Sequence, residues 1–268
     1  MRKSIFIPTI VAVLIHVSTG VAGSMFERRT VDGRRLYDVL MSERVPGYAL
    51  DLIFRMFDYN EGRITNTSFA VLIDYGKPST EKRLGLLNFK TGKVEWFYVA
   101  HGIRTGVVES RRFSNVLNSW KSSLGFYYAK DTYISPKNGL SMYLHGVDLS
   151  NDKSKERNIV LHGARYVSSE FILANGRLGW SEGCPAVGMK ESEYLIKILQ
   201  NGSILFAYHP ALMVAARQTP DEQSLGGEEI IPPGANLDRT PGEGGAEPPS
   251  GPVPDVFGPR PLLDNLYY

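Results

Sequence analysis

The chain contains one cysteine, Cys184, and three histidines that each precede a glycine: His101, His145 and His162. A thiol attacks acyl groups as its thiolate, and a neighbouring imidazole can take up the proton. Gly183, directly before the cysteine, permits a tight turn that can direct the Cys184 amide at a developing oxyanion. The residue types therefore predict cysteine-dependent acyl transfer. The alternatives are a buried thiol that packs as a small apolar side chain and histidines with structural roles.

The elements that must position these residues are predicted to be mainly β. Six short runs rich in β-forming residues are divided by turn signals and are typical of strands. The runs span residues 69–75, 84–89, 94–100, 141–147, 158–162 and 203–208. Strands at this density indicate a β-sandwich or barrel. His162 falls at the end of one strand and Cys184 on a later loop, so a rigid sheet can bring the two together.

Helical periodicity is confined to three segments. Residues 31–44 and 47–58 precede the strands, and a late helix spans about residues 190–200. In each, apolar residues recur on one face, which predicts packing against the core. The fold class expected is therefore a mainly β domain with N-terminal helices and one late helix, α+β overall.

The two ends of the chain differ in composition from the middle. Residues 1–23 combine a positive start, an apolar run and small residues, which is typical of an export signal; an uncleaved membrane anchor is the alternative. Residues 217–268 are rich in Pro, Gly and acidic residues and are predicted to be disordered. We expect no stable membrane span after removal of the signal.

Charge and ligand patterns exclude other classes of function. The net charge is +2, and Lys and Arg are scattered, so no nucleic-acid partner is predicted. A zinc site made from Cys184 and the histidines is a rival. The chain lacks a His-Glu-x-x-His helix and any close Cys or His pair at finger spacing. We therefore expect no metal and no cofactor.

Two strings around the candidate residues resemble a known family. NIVLHGARYV at 158–167 and GRLGWSEGCPAV at 176–187 resemble the murein L,D-transpeptidase catalytic domain of the YkuD type. The branch resembled has an active-site loop that reads Ser-x-Gly-Cys-Pro-Ala-Val. Further strings agree in the right order: STEKRL at 79–84, VAHG at 99–102, FSN at 113–115 and SSLGFY at 122–127. The resemblance covers about residues 67–208.

The resemblance implies a mechanism on peptidoglycan stem peptides. Cys184 would attack the bond between the third stem residue, usually diaminopimelate, and the terminal D-alanine. D-Alanine would leave, and an amine of a second stem would resolve the thioester. His162 matches the catalytic His and Gly163 its neighbour, whereas Ser181 and Gly183 match the loop that shapes the oxyanion site. Such a pair predicts that Cys184 is alkylated faster than a free thiol near neutral pH.

The resemblance also implies substrate-binding residues. Tyr143 precedes His162 at about the distance of a substrate-facing Tyr in related enzymes. The widespread motif has Arg two residues after the Cys, where this chain has Ala186. Arg165 and Arg177 flank the motif and are candidates for the missing carboxylate clamp, with solvated loop charges as the alternative.

Four further side chains near the motif have candidate roles. His145 is expected to line the pocket or to tune His162, with a structural hydrogen bond as the alternative. Trp180 walls the substrate groove, or anchors a packed loop. His101 is expected to hold a turn through its ring nitrogens. Glu182, beside the thiol, would raise the thiol pKa if close, and it is expected to point away.

The predicted organisation has four parts. They are a signal peptide at 1–23, an N-terminal helical segment at 24–66, an L,D-transpeptidase-like catalytic domain at 67–210, and a disordered tail at 217–268. The function expected is that of an exported, periplasmic acyltransferase. An L,D-carboxypeptidase or cross-link hydrolase would use the same Cys-His pair, and a non-catalytic cell-wall-binding protein would leave the pair unexplained.

Overall fold

The structure is a computed structural model that describes residues 23–60 and 62–210. The predicted tail and all but the last residue of the predicted signal peptide lie outside the described residues. The helices are α1 (Leu36–Ser42), α2 (Gly47–Tyr59), α3 (Ser169–Asn175) and α4 (Met189–Leu199). The strands are β1 (Phe69–Asp74), β2 (Leu84–Asn88), β3 (Val94–Phe97), β4 (Gly125–Ser135), β5 (Gly139–Gly146), β6 (Val160–Gly163), β7 (Ala186–Val187) and β8 (Ser203–Tyr208).

The eight strands of the described region form one sheet in the order β3-β2-β1-β8-β4-β5-β6-β7. Neighbouring strands are antiparallel except for two pairs, β1 with β8 and β6 with β7, which are parallel. Beyond β3, Ala100 forms a bridge to Ala186 of β7, so the two ends of the sheet approach each other. The sheet is therefore nearly closed, and the prediction of a mainly β domain is confirmed.

One face of the sheet is covered by α4. Leu195, Ile196 and Leu199 recur at helical spacing and are fully buried against this face. On β1, Val71 and Ile73 alternate with residues of the opposite face and point to the same core. Burial of this kind contributes about 1.5–3 kcal/mol for each large apolar side chain. This core therefore fixes the sheet that carries the candidate residues.

The opposite face of the sheet packs against the N-terminal helices. Leu50, Ile53 and Phe54 of α2 are buried in one cluster with Ala70 and Leu72 of β1. The apolar face predicted from the periodicity of residues 47–58 is confirmed by this packing. Because α2 and the sheet share a core, the segment before β1 is a layer of the same folded unit.

Several elements differ from the prediction. The helix predicted from residue 31 begins at Leu36, since a bridge between Arg29 and Arg35 closes a turn before it. Strand β4 was not predicted, because its sequence does not alternate between apolar and polar residues: one end is apolar on both faces and the other end is polar. A bulge also interrupts its pairing with β5. Helix α3 was missed because it buries no side chain, although Ser168 caps its start and Gly176 its end.

The described helices are short. None of those in the described part of the chain is long and apolar enough to cross a membrane.

Candidate active site

Cys184 lies on the loop that leads into β7. Parallel pairing of β6 with β7 sets His162 opposite Ala186, two residues beyond the cysteine. The Val160 amide donates to Cys184 Sγ at 3.5 Å, and Sγ donates to the Asn158 carbonyl at 3.6 Å. The pairing of two strands distant in sequence therefore brings the predicted nucleophile and the predicted base to one end of the sheet.

His162 is buried, and its tautomer is fixed by the backbone. Its Nδ1 donates to the Gly163 carbonyl oxygen at 3.0 Å, which leaves the lone pair on Nε2. Burial lowers the pKa of His162, and Lys137 lowers it slightly more, against the opposing effect of the Gly163 carbonyl. The imidazole is therefore neutral and able to accept a proton at Nε2.

The Cys184 thiol is partly exposed and protonated at rest. Burial raises its pKa to about 11, which outweighs the lowering by the Val160 amide and by the charge of Arg157. No hydrogen bond joins Cys184 to His162 among the described residues. Burial of the sulfur therefore disfavours the preformed thiolate that the residue types suggest, because desolvation dominates at this site, and the rate of alkylation stays a matter for experiment.

Glu182 is exposed, yet its charge contributes to the raised pKa of Cys184. The expectation that it points away is therefore only partly met: the side chain is solvated, but its carboxylate acts on the thiol.

The loop before the nucleophile is held by a short network. Ser181 Oγ donates to the Cys184 carbonyl at 2.6 Å and accepts from the Gly183 amide at 3.1 Å. Gly183 has φ +124°, a conformation that side chains rarely adopt, and a Cβ there would lie 2.8 Å from the Lys121 carbonyl oxygen. The Cys184 amide donates to no other described residue, so it is available to an oxyanion.

A second loop, which carries Ser122, packs against the Ser181–Cys184 loop. Ser122 is buried, and its Oγ donates to the Gly183 carbonyl at 3.1 Å while it accepts from the Gly102 amide at 3.0 Å. A Cβ on Gly102 would lie 2.9 Å from Gly183 Cα, so the two backbones approach closely. This close approach fixes the position of Gly183, the residue that precedes Cys184.

Two stacked tyrosines lie on the neighbouring strands β4 and β5. Tyr143 of β5 pairs with Val160, whose amide contacts Sγ, and its ring stacks on Tyr133 with centroids 4.9 Å apart. Burial raises the pKa of Tyr133, and the charges of Tyr143 and Cys184 raise it further. Tyr133 could not be selected from the sequence, because only the β4–β5 pairing places it next to Tyr143.

Tyr166 is a further neighbour of the thiol that the sequence analysis did not select. Burial raises its pKa, with smaller contributions from Cys184 and Glu182. Tyr166 lies within the family string at residues 158–167, and that string could have identified it as a site residue.

The flanking arginines and Trp180 occupy the surface. Arg165 is exposed, whereas the Arg177 guanidinium stacks on the Trp180 ring at 3.4 Å. Trp180 Nε1 donates to the Val107 carbonyl at 3.0 Å, which ties the motif to the loop after β3. Trp180 therefore anchors a loop, and neither arginine is hydrogen-bonded to Cys184 or His162 among the described residues.

The side chains of His101 and His145 are bonded to groups other than the thiol. His101 is buried, accepts from Arg83 at Nδ1 over 2.8 Å and donates from Nε2 to the Gly106 carbonyl at 2.9 Å. Burial lowers its pKa to about 3, and Arg83 lowers it too, so it holds a turn as expected. His145 is partly exposed and is bonded to Asp131 at 3.0 Å.

In the described residues no three His, Cys, Asp or Glu side chains are grouped to hold a metal ion.

A family model described as the L,D-transpeptidase catalytic domain matches residues 44–208, more than half of the chain. The chain belongs to this L,D-transpeptidase family. The match begins within the predicted N-terminal segment and includes α2, which shares a core with the sheet.

Solved structures of L,D-transpeptidases are also similar to this chain. An L,D-transpeptidase from Mycobacterium smegmatis is 9% identical, with a TM-score of 0.33, over 53% of this chain and 58% of that one. The helical cell shape determining protein Pgp2 from Campylobacter jejuni is 15% identical, with a TM-score of 0.32, over 55% and 49%. An L,D-transpeptidase from Stackebrandtia nassauensis is 14% identical, with a TM-score of 0.32, over 66% and 78%.

The chain spans about half the length of the first two of these structures. A comparison with curated protein sequences finds no match.

Proposed function

We propose that this chain is a peptidoglycan L,D-transpeptidase in which Cys184 is the nucleophile and His162 the base. The observation that carries the proposal is the β6–β7 pairing, which sets His162 opposite Ala186 and beside the Cys184 loop. His162 donates from Nδ1 to its neighbour's carbonyl, so Nε2 is the basic atom. Membership of the L,D-transpeptidase family supports a cell-wall substrate.

The first half of the reaction starts from a neutral pair. As Cys184 Sγ attacks the acyl carbon of the third stem residue, His162 Nε2 takes the thiol proton and a C–S bond forms. The carbonyl oxygen becomes an oxyanion that accepts a hydrogen bond from the Cys184 amide. When the intermediate collapses, the C–N bond breaks and the D-alanine nitrogen takes the proton from His162. A thioester remains on Cys184.

The second half returns the enzyme to its starting state. The amine of a second stem attacks the thioester carbonyl, and His162 takes a proton from that nitrogen. The C–S bond breaks, an amide bond forms, and the Cys184 sulfur takes the proton back. Since both residues begin and end neutral, the raised pKa of the thiol and the lowered pKa of His162 fit this cycle.

The remaining site residues have substrate-side roles in this proposal. Tyr143 lies next to the thiol through its pairing with Val160 and contacts the donor stem. Three basic side chains at or near the surface bind stem carboxylates in this proposal. They are Arg165, His145 and Arg177, whose guanidinium stacks on Trp180.

The predicted N-terminal signal directs export in this proposal. The enzyme then works in the periplasm and has no membrane span once the signal is removed. No cofactor takes part in the cycle.

The test is mass spectrometry of products after incubation with disaccharide-tetrapeptide. Wild type is compared with Cys184→Ala, His162→Ala and, as a control, Lys197→Ala on the exposed side of α4. We expect a cross-linked dimer or an exchanged terminal residue from wild type and the control alone. Tripeptide as the sole product would keep the nucleophile but make the enzyme a carboxypeptidase. Product from Cys184→Ala would refute the proposal.

A further inference from the structure

Arg157 lies just before β6 and bonds to the loop that runs beneath the nucleophile. Its Nη1 donates to the Ser114 carbonyl at 2.8 Å and to Ser123 Oγ at 3.1 Å. Its Nη2 donates to Ser119 Oγ at 3.4 Å and to the Lys121 carbonyl. All four acceptors are neutral. The guanidinium is therefore fixed in place by hydrogen bonds that leave its charge unbalanced.

The Arg157 charge has no acidic partner in the described part of the chain. No Asp or Glu within residues 23–60 and 62–210 forms an ion pair with it, although it is half-buried. An arginine stays protonated under such conditions. A cation that is partly removed from water acts more strongly on its neighbours than a solvated one.

The neighbour that this charge reaches is the nucleophile. A Cβ added to Gly183 would lie 3.1 Å from Arg157 Nη2, so the guanidinium packs directly against the residue before Cys184. The charge of Arg157 lowers the pKa of the thiol, against the larger opposing effect of burial. Burial likewise lowers the pKa of Arg157, and Tyr127 and Cys184 oppose that shift.

The groups that face Cys184 from other elements act differently. Glu182 on its own loop opposes the thiolate. Tyr133 of β4 and Tyr166 after β6 have raised pKa values and are neutral phenols. His162 of β6 is neutral, and the charge of Lys137 acts on that histidine.

Tyr75, after β1, is a further neutral phenol whose pKa burial raises. Among the described residues, Arg157 is thus the cation whose charge favours the thiolate form of Cys184 over the thiol.

We propose that Arg157 is a positioning residue whose fixed charge stabilises the negative charge that develops on Cys184 Sγ during acyl transfer. This inference rests on the proposed function of Cys184. It adds a source of stabilisation outside the family motif, which in this chain has Ala186 where the widespread form has Arg. The hydrogen bonds of Arg157 fix the position of its guanidinium group. The positive charge of that group then acts on catalysis by stabilising negative charge on the Cys184 sulfur.

The test measures the rate of iodoacetamide alkylation of the full chain across a pH series. Thiolate sulfur displaces iodide in this reaction, so below the thiol pKa the rate follows the thiolate fraction. Arg157→Gln removes the charge, and a cation this close shifts a pKa by about one unit, so we expect a roughly tenfold slower reaction. Arg157→Lys keeps the charge and should remain within about threefold of wild type.

Two control variants complete the series. Ser119→Ala removes two long hydrogen bonds, from Arg157 Nη2 and from the Lys121 amide, and keeps the charge, so its rate should equal that of wild type. Glu182→Gln removes the opposing charge and should react faster.

A wild-type rate in folded Arg157→Gln would overturn the inference. A rate equally low in Arg157→Gln and Arg157→Lys would also overturn it, because the guanidinium fork rather than the charge would then matter. If Arg157→Gln does not fold, Arg157→Lys alone decides: a rate near wild type supports the charge, and a tenfold fall refutes it. Alkylation needs no peptidoglycan, so this result is independent of the product assay that tests the function.

Discussion

Replacement of Gly183 by alanine tests the geometry of the nucleophile loop. At φ +124° an alanine adopts a conformation that is nearly confined to glycine, which costs about 1–3 kcal/mol. The new Cβ would also lie 2.8 Å from the Lys121 carbonyl oxygen and 3.1 Å from Arg157 Nη2. Overpacking against fixed groups adds about 1–3 kcal/mol. We therefore expect Gly183→Ala to lower the free energy of unfolding by about 3 kcal/mol.

The matched control is Gly176→Ala at the end of α3. Gly176 has φ +68°, and a Cβ there would meet nothing within 4 Å, so this variant carries the backbone strain without the contact. It should cost only about 1 kcal/mol. Urea denaturation of both variants gives the comparison, and thermal melting should show a fall of about 6–12 °C for Gly183→Ala.

The catalytic consequence of Gly183→Ala follows from the same contact. Movement of the loop by a few tenths of an ångström displaces the Cys184 amide and sulfur, so cross-linked product should fall more than tenfold. Equal destabilisation in the two glycine variants, or full activity in Gly183→Ala, would refute the close packing of this loop.

Two further predictions concern ionisable groups. The rate of wild-type Cys184 alkylation should rise about tenfold per pH unit, with no plateau below about pH 10, because burial raises the thiol pKa to about 11; a plateau near neutral pH would contradict this. Arg83→Met should lower the free energy of unfolding by about 3–5 kcal/mol, since it removes both hydrogen bonds from the buried Val99 carbonyl and the hydrogen bond from the Lys77 carbonyl. Urea denaturation against Arg63→Met, at an exposed position, measures it, and equal losses would contradict it.

The candidate residues were predictable in part because the motif is local. NIVLHGARYV and GRLGWSEGCPAV are short strings, so Cys184 and His162 could be selected without knowledge of the fold. Strand β8 was predicted with its observed bounds because alternating and apolar residues lie between clear turn signals. Tyr133 and Arg157 could not be selected, because each lies near the thiol only through pairings and loops distant in sequence.

The protonation state of the site could not be read from residue types either. A Cys-His pair suggested a thiolate, whereas burial of the sulfur keeps it protonated. Desolvation depends on every neighbour that excludes water, and most of those neighbours come from other strands.

The sequence by itself determined the fold class and the family, and it was enough to select Cys184 and His162 as the candidate pair, since local periodicity and short motifs encode these. The tertiary structure alone decided that the Gly163 carbonyl orients the His162 ring, that Gly183 packs against a second loop, and that Arg157 packs against the residue before Cys184. The physical reason is the range of the forces involved: periodicity and turn chemistry act between near neighbours in sequence, whereas burial and charge act between neighbours in space.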